Sequence, residues 1–481
     1  MLIEKLTIKR GSTIGEAMLC INNNEQGICF ILEHRLLVGI VTDGDVRRSL
    51  LEGANLSDSV DLFMKRKFFS LPVDCTFEVI QKNLEKYKHI PIINNSGEFV
   101  DLATVRQYHQ IPLVKPVFDG NELEYVTDCI LSGWISSQGK YVSQFEEKFG
   151  GYVGCQNTLA VSNGTVALHL ALVTLGVGPG DEVIVPNLTF AAPINAVLYV
   201  GATPVLVDVD PVTFALDPIL ATAVISNRTR AIIPVHLYGQ PADMTSIMAI
   251  AKKHNLLVIE DCAEALGSQY HGKHVGTFGD AATFSFFGNK TITTGEGGML
   301  VLREKLMRDR AKMLRDHGMS PERRYWHNEV GYNYRLTNIQ SAIGLAQMEK
   351  IDFFVGRKRW IAEQYNKRLK NIAHLQLPVE EDNTLNSYWM YTVVLLQPLT
   401  QKRDELIELF KQAGIESRPV FYPMHLMPPY VGFSVAGESY SISTGLSEGG
   451  INLPSSVYVE EMEIQRVCNV INSFLNITTC E

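Results

Sequence analysis

The sequence predicts an α/β protein: a mostly parallel sheet covered on both faces, preceded by a small α/β module and followed by a smaller α+β lobe. Three observations carry that expectation. From about residue 121 short apolar runs alternate with helical stretches, the pattern of strand–helix–strand units. At 481 residues the chain exceeds one ordinary domain. Near residues 111–120 the pattern changes across QIPLVKPVFDG, a stretch with two prolines and no helical period, which reads as a linker.

Residues 1–110 read as a unit of their own. ICFILE (28–33) and LLVGIVT (36–42) are strand-like, and TFEVIQKNLEKY (76–87) is helical. An internal echo pairs GICFILEHRLLVGIV (27–41) with HIPIINNSGEFVDL (89–102), each a hairpin, with Asn-Asn-Ser-Gly turning the second. Residues 121–375 form the large domain. Its first helix, NELEYVTDCILSG, ends at Gly133. Strands follow at DEVIVP (181–186), TPVLVDVD (203–210), RAIIPVHLYG (230–239), LLVIED (256–261), ATFSFF (282–287) and GGMLVL (297–302). Residues 335–375 read mainly as helix, and 376–481 as the small lobe, with a strand in YWMYTVVLL and a helix in RDELIELFKQAG.

Composition narrows the function. Apolar residues at 46% and charged residues at 20% are ordinary for a soluble protein with a large core. A net charge of −9 argues against nucleic acid or an anionic membrane as the main partner. No apolar run reaches the length of a membrane span, and MLIEKLTIKRG lacks the core of a signal peptide, so a cytoplasmic location is expected. Eight scattered cysteines without a C-x-x-C pair indicate neither a zinc site nor a disulfide scaffold, and no metal is expected.

In an open parallel sheet, ligands sit at the carboxyl ends of the strands. LLVIED places Glu260 and Asp261 at such an end. Ser162-Asn163-Gly164-Thr165 precedes the helix VALHLALVTLG, where free N–H groups and the helix dipole favour an anion. SFFGNK places Ser285 and Lys290 after another strand and before a glycine-rich turn. An anion cradle, a strand-end carboxylate and a lysine are the parts of a pyridoxal phosphate site: the first holds phosphate, the second keeps the pyridine nitrogen protonated, and the third binds the aldehyde. Each part alone has a plainer reading: Asp261 as a helix cap, Ser-Asn-Gly-Thr as an N-cap, Lys290 as a surface lysine. GVGPGD (176–181) precedes a strand rather than following one and is a loop, not a dinucleotide fingerprint; His169, inside an apolar helix, is a packed core residue.

The segments VSNGTVALHLAL, PNLTFAA, IEDCAEALGS, GTFGDAATFSFFGNKTITTGEGGML and GYNYRLTNIQSAIGLAQ, in that order, closely resemble the sugar aminotransferases of the DegT/DnrJ/EryC1/StrS family. The resemblance covers about 113–481 and implies fold-type I aminotransferase architecture, pyridoxal 5'-phosphate as cofactor and a homodimer with shared active sites. It implies that Lys290 carries the cofactor, Asp261 pairs with its pyridine nitrogen, Glu264 contacts the ring hydroxyl and Phe190 stacks on the ring. Gly164, Thr165 and Ser285 would hold the phosphate, with Asn333 reaching in from the other subunit; His317, Arg418, Tyr422 and His425 fall in segments that would line the sugar-nucleotide side. Relatives that act as dehydratases carry histidine where this chain has Lys290, so transamination is expected. EDCAEALGS, FSFFGNKTITTGEGGM, RYWHNEVGYNYR and ESRPVFYPMHLMPPY resemble the branch that moves the amino group of glutamate to GDP-4-keto-6-deoxymannose, giving GDP-perosamine for surface polysaccharides. A UDP- or dTDP-linked keto-sugar is the alternative substrate, and a non-catalytic nucleotide-responsive regulator the alternative class.

Residues 1–110 resemble a tandem CBS pair, a module that often binds adenosine nucleotides. VGIVTDGDVRRSL (38–50) holds a Thr-x-x-Asp pattern, Thr42 and Asp45, which in such modules touches ribose and phosphate. FVDLATVRQ in the second half lacks the aspartate, so at most one adenine-nucleotide site is expected, the other reading being a module kept for packing or dimerisation.

Overall fold

The computed structural model describes residues 3–105, 108–435 and 437–478. It divides into two compact units, Met1–Gln110 with Lys411–Gly414, and Ile111–Phe410 with Ile415–Glu481.

In the first unit the internal echo is a repeat of topology. β1 (Thr7–Lys9), α1 (Ile14–Asn24), β2 (Ile28–Glu33) and β3 (Leu36–Thr42) give a sheet in which β1 runs parallel to β2 and β2 antiparallel to β3. After α2 (Asp43–Leu51), the elements β4 (Leu71–Pro72), α3 (Phe77–Leu84), β5 (His89–Ile93) and β6 (Phe99–Thr104) repeat the arrangement, parallel then antiparallel. In each half the helix crosses between the parallel pair, and its apolar stripe closes a separate core: Ile14, Ala17 and Ile21 over Cys29, Ile31 and Val41, then Ile80 and Leu84 over Ile90, Ile92 and Ala103. The first hairpin turns on His34 and Arg35, both left-handed with φ of 50° and 74°. No glycine or asparagine stands there, which is why the sequence offers no turn signal at that point.

The second unit opens with α4 (Glu122–Ser132), ended by Gly133 in the left-handed conformation, and α5 (Lys140–Val153). The segment expected as a linker joins this unit from its first residue: Ile111 and Leu113 are buried, and Ser455 donates its backbone N–H to the Leu113 carbonyl. The large domain continues through β7 (Thr158–Val161), α6 (Gly164–Thr174), β8 (Glu182–Pro186), α7 (Ala192–Tyr199), β9 (Thr203–Val207), α8 (Pro218–Ala223), β10 (Thr229–Ile232), α9 (Met244–His254) and β11 (Leu257–Asp261). A short hairpin, β12 (Gln269–Tyr270) and β13 (Lys273–His274), leads to β14 (Ala281–Ser285), β15 (Gly298–Leu302) and α10 (Lys305–Arg315). The seven-stranded sheet has the order β7-β15-β14-β11-β10-β8-β9, with β15 alone antiparallel to its neighbours. Alternate residues serve opposite faces: Val183 and Val185 of β8 pack with Leu170 and Ile194 of α6 and α7, and Ile184 between them packs with Ile247 of α9. Both faces are therefore covered, as the continuous apolar runs of the strands require.

The last part carries α11 (Asn338–Met348), α12 (Ile351–Leu369), β16 (Leu375–Gln376), β17 (Thr384–Leu385), β18 (Tyr391–Leu395), α13 (Arg403–Gln412), β19 (Arg418–Pro419), α14 (Ser441–Gly449), β20 (Gly450–Leu453) and α15 (Glu461–Thr478). Its sheet, β16-β18-β20-β19, is antiparallel throughout. Among the described residues no helix is long and apolar enough to cross a membrane.

Candidate active site

The sheet brings β7, β8, β11 and β14 to one edge at their carboxyl ends, and the chemistry-bearing residues follow those ends. After β7 the chain turns into α6 at Gly164. Asn163 caps it, its Oδ1 accepting from the Val166 N–H at 2.9 Å, which leaves the N–H groups of Gly164 and Thr165 unpaired among the described residues. The turn is held close to its neighbours by glycines. A Cβ on Gly164 would lie 3.1 Å from the Cβ of Ser285, and one on Gly298 would lie 2.6 Å from the carbonyl carbon of Asn163. Ser285, the last residue of β14, thus faces two free N–H groups at the positive end of a helix, an arrangement suited to a phosphate.

At the end of β11 the alternation of a strand sends Glu260 and Asp261 to opposite sides. Glu260 is spent on structure: Oε1 accepts from the N–H groups of Phe278 and Gly279, and Oε2 accepts from Gly276. His236 completes it, with Nε2 3.2 Å from Glu260 Oε2 and Nδ1 accepting from the Ala242 N–H, so the imidazole proton sits on Nε2. His236, Glu260 and Cys262 bring three donor types within 4.8 Å of one another, but these hydrogen bonds occupy both imidazole nitrogens and both carboxylate oxygens, which leaves no lone pair set for a metal. Asp261 differs. Its Oδ1 accepts from the Ala263 N–H at 3.0 Å, and its other oxygen has no partner among the described residues. Burial pushes its carboxyl above the usual carboxylate range, opposed by the Ala263 N–H and by the charge of Lys290. A buried carboxylate with one open oxygen fits a protonated ring nitrogen.

Lys290 lies on the loop that follows β14. That loop is closed on itself by Phe286 donating to the Gly297 carbonyl and Thr294 donating to the Phe286 carbonyl. Lys290 Nζ is 3.3 Å from Glu264 Oε1 and 3.8 Å from the centre of the Trp389 ring. Glu264 Oε2 accepts from the backbone N–H of Tyr238; burial raises its carboxyl, and Lys290 and that N–H oppose the rise. Tyr238 is buried and stacks between Trp389 and Phe421, and Phe421 in turn meets Phe190 at 5.9 Å between centres. Phe190 itself is 59% exposed, so one of its faces is free to cover a planar ligand. The open oxygen of Asp261, the free N–H groups of α6 and the uncovered face of Phe190 together suit a flat, phosphorylated pyridine aldehyde.

On the outer side His425 is fixed by Asn187, a fully buried residue just after β8. The Asn187 amide lies 2.9 Å from His425 Nδ1 and its Oδ1 accepts from the His425 N–H, while the imidazole stacks on Tyr440 at 4.6 Å. Burial holds the His425 imidazole below its ordinary range, with Asp208 opposing. Asn333, His317, Arg418 and Tyr422 are exposed in the single chain. Arg418 pairs with Glu416, and His317, with φ of 60°, contacts Arg335. Asn187, Trp389, Tyr238 and Lys358 also bear on the site and were not singled out from the sequence, although Asn187 lies in PNLTFAA. For Lys358 one signal existed: it occupies the same stripe of α12 as Phe354, Ile361 and Tyr365.

Residues 116–472 match the DegT/DnrJ/EryC1/StrS aminotransferase family. The chain belongs to this family. The aminotransferase is 48% identical over 367 residues to GDP-perosamine synthase of Caulobacter vibrioides, covering 76% of this chain and 98% of the relative. It is 49% identical over 364 residues to GDP-perosamine synthase of Escherichia coli O157:H7, again 76% and 98%. Among solved structures it resembles DesV of S. venezuelae, with 32% identity, a TM-score of 0.71 and coverage of 76% and 99%. It also resembles the PLP form of the putative sugar aminotransferase Spr1654 of Streptococcus pneumoniae, with 27% identity, a TM-score of 0.73 and coverage of 76% and 99%. The aminotransferase has the fold-type I architecture, uses pyridoxal phosphate, and acts on a keto-sugar and an amino donor.

Proposed function

We propose that this enzyme transfers the amino group of glutamate to the 4-keto group of GDP-4-keto-6-deoxymannose, giving GDP-perosamine in the cytoplasm for surface polysaccharide synthesis. The observation that carries the reading is sequence identity of 43–49% to three GDP-perosamine synthases across 98–99% of their length.

Pyridoxal phosphate, when bound, supplies an electron sink that lets an amino group and a proton pass between two substrates. Gly164, Thr165 and Ser285 hold its phosphate, Asp261 its ring nitrogen and Glu264 its ring hydroxyl, and Phe190 covers the ring. Lys290 would hold the aldehyde between turnovers, and its freed amine would take the Cα proton of glutamate and carry it as an ammonium. Glu264, 3.3 Å from Nζ, gives the resulting ammonium a counter-charge. Asn333 completes the phosphate site of a second subunit in a homodimer, and His317, Arg418, Tyr422 and His425 line the sugar-nucleotide side. In the N-terminal module an adenine nucleotide at Thr42 and Asp45 is the ligand to test, by thermal shift with AMP, ADP and ATP.

The deciding assay supplies pyridoxal phosphate and glutamate and offers GDP-, UDP- and dTDP-linked 4-keto-6-deoxy sugars in parallel. Amination of the GDP sugar alone is expected. Amination of another sugar instead would move the substrate and leave the mechanism.

A further inference from the structure

Trp389 is placed more firmly than a wall residue needs. It is buried, its Nε1–H donates to the carbonyl of Asn289 at 2.8 Å, next in sequence to Lys290, and its ring is stacked on Tyr238. Its own carbonyl accepts at 3.0 Å from Lys358 Nζ, which makes a second 3.0 Å bond to the carbonyl of Ser455. Lys358 is 2% exposed and meets no carboxylate among the described residues. Two carbonyl acceptors satisfy the two N–H groups of a neutral amine, and burial alone lowers this amine to about 7. A narrow cavity is lined by Lys290, Thr291, Thr293, Gln347 and Lys358, so the two lysines border one space. A neutral Lys358 spares Lys290 a like charge at that wall.

We propose that the indole face of Trp389 is the seat of the Lys290 ammonium whenever the lysine is free of the cofactor, and that Lys358 is the buried positioning residue that holds the indole there. A cation 3.8 Å from an indole centre, out of water, lies in the strongest range of cation–π attraction. The catalytic cycle frees Lys290 and loads it with a proton, and Trp389 with Glu264 keeps that charge aimed at the reacting carbon instead of letting the side chain wander. The inference rests on Lys290 being the cofactor-bearing lysine.

The test reads Lys290 itself in the full-length chain stripped of cofactor, by competitive acetylation with acetic anhydride at pH 8 and peptide mass spectrometry. Tryptophan is replaced biosynthetically by its mono-, di- and trifluoro analogues, which weaken the ring quadrupole at nearly constant size. Lys290 acetylation is expected to rise stepwise with fluorine, reaching about threefold to tenfold, because the ring holds the amine less firmly. A flat response would overturn the role of Trp389. Lys358→Met is expected to raise the acetylation about twofold, with Lys358→Gln, which keeps an N–H pair, recovering part of the loss. Unchanged labelling in a folded Lys358→Met chain would overturn the positioning role. Borohydride reduction of the holoenzyme checks the underlying assignment separately: cofactor fixed on a lysine other than 290 removes that assignment whatever the fluorine series gives.

Discussion

Asp261 ends a strand and Asp45 lies in the first turn of the helix after one, and both are nearly buried, yet their oxygens meet opposite fates. Asp45 is spent: Oδ2 accepts from the N–H and hydroxyl of Thr42, and Oδ1 pairs with Arg48 and Lys65 at 2.9 and 2.8 Å. Burial pushes its carboxyl up, but the bonds from Lys65 and Thr42 outweigh burial and hold it below the usual carboxylate range. Asp261 has one backbone N–H and one open oxygen, and burial wins. A carboxylate that builds structure consumes its own partners, whereas one that serves a ligand is left short of them. The same contrast separates Glu260 from its neighbour Asp261.

That comparison breaks most sharply at Lys290. Lys290→Ala should fold and bind phosphate ligands, because its Nζ supports no backbone, yet lose amination by at least about 10³-fold in steady-state assays. Residual turnover near that of the unaltered enzyme would move the chemistry elsewhere. Asp261→Asn keeps the shape and removes the charge that holds the ring nitrogen protonated. It should lower kcat about 10²-fold with little change in melting temperature, since the open oxygen bonds nothing in the chain. A large loss of stability with intact kcat would make Asp261 a structural carboxylate like Glu260.

Much of this was legible in the sequence, and the reasons are local. Apolar runs between turns located six strands of the seven-stranded sheet and passed over β7: TLAV is four residues long and merges into the helix signal that follows. Asp261, Ser285 and Lys290 were legible because strand ends are where open sheets bind ligands. Asn187, Tyr238, Trp389 and Lys358 were not, because each acts through a contact far away in sequence: Asn187 with His425, Trp389 with Asn289, Lys358 with Ser455. A lysine in an apolar stripe is ambiguous until its acceptors are known. The linker reading of 111–120 failed to anticipate burial for a related reason, since Glu416 and Ser455 supply the bonds that fix it.

Lys358 sharpens the comparison through pH. Its amine is lowered to about 7 in the folded protein against an ordinary 10.5, so between those values the unfolded chain binds the extra proton. Stability contributed by this group therefore rises with pH across that window and is smallest near and below pH 7. Urea unfolding at pH 7.5, 8.5 and 9.5 should show the unaltered chain gaining on Lys358→Met by at most about 1.4 kcal/mol per pH unit. Parallel pH curves for the two would place a charged Lys358 in the core.

The smallest effect is expected at the other end of the comparison. Thr42 and Asp45 form a capping box, each accepting from the other's backbone N–H, so Thr42→Ala removes a cap from α2 and costs that helix about 1 kcal/mol. The depressed Asp45 carboxyl adds stability at neutral pH that is lost as pH falls through its folded value, so Asp45→Asn should also flatten acid unfolding of this unit. Hydrogen exchange of α2 peptides reads the local loss, and amination of the sugar should be unchanged in both variants. An adenine nucleotide that protected α2 from exchange in the unaltered chain, but not in these variants, would show that Asp45 is not spent after all: the ligand would have to displace Lys65 or Arg48 from its carboxylate, and the cap would double as a site.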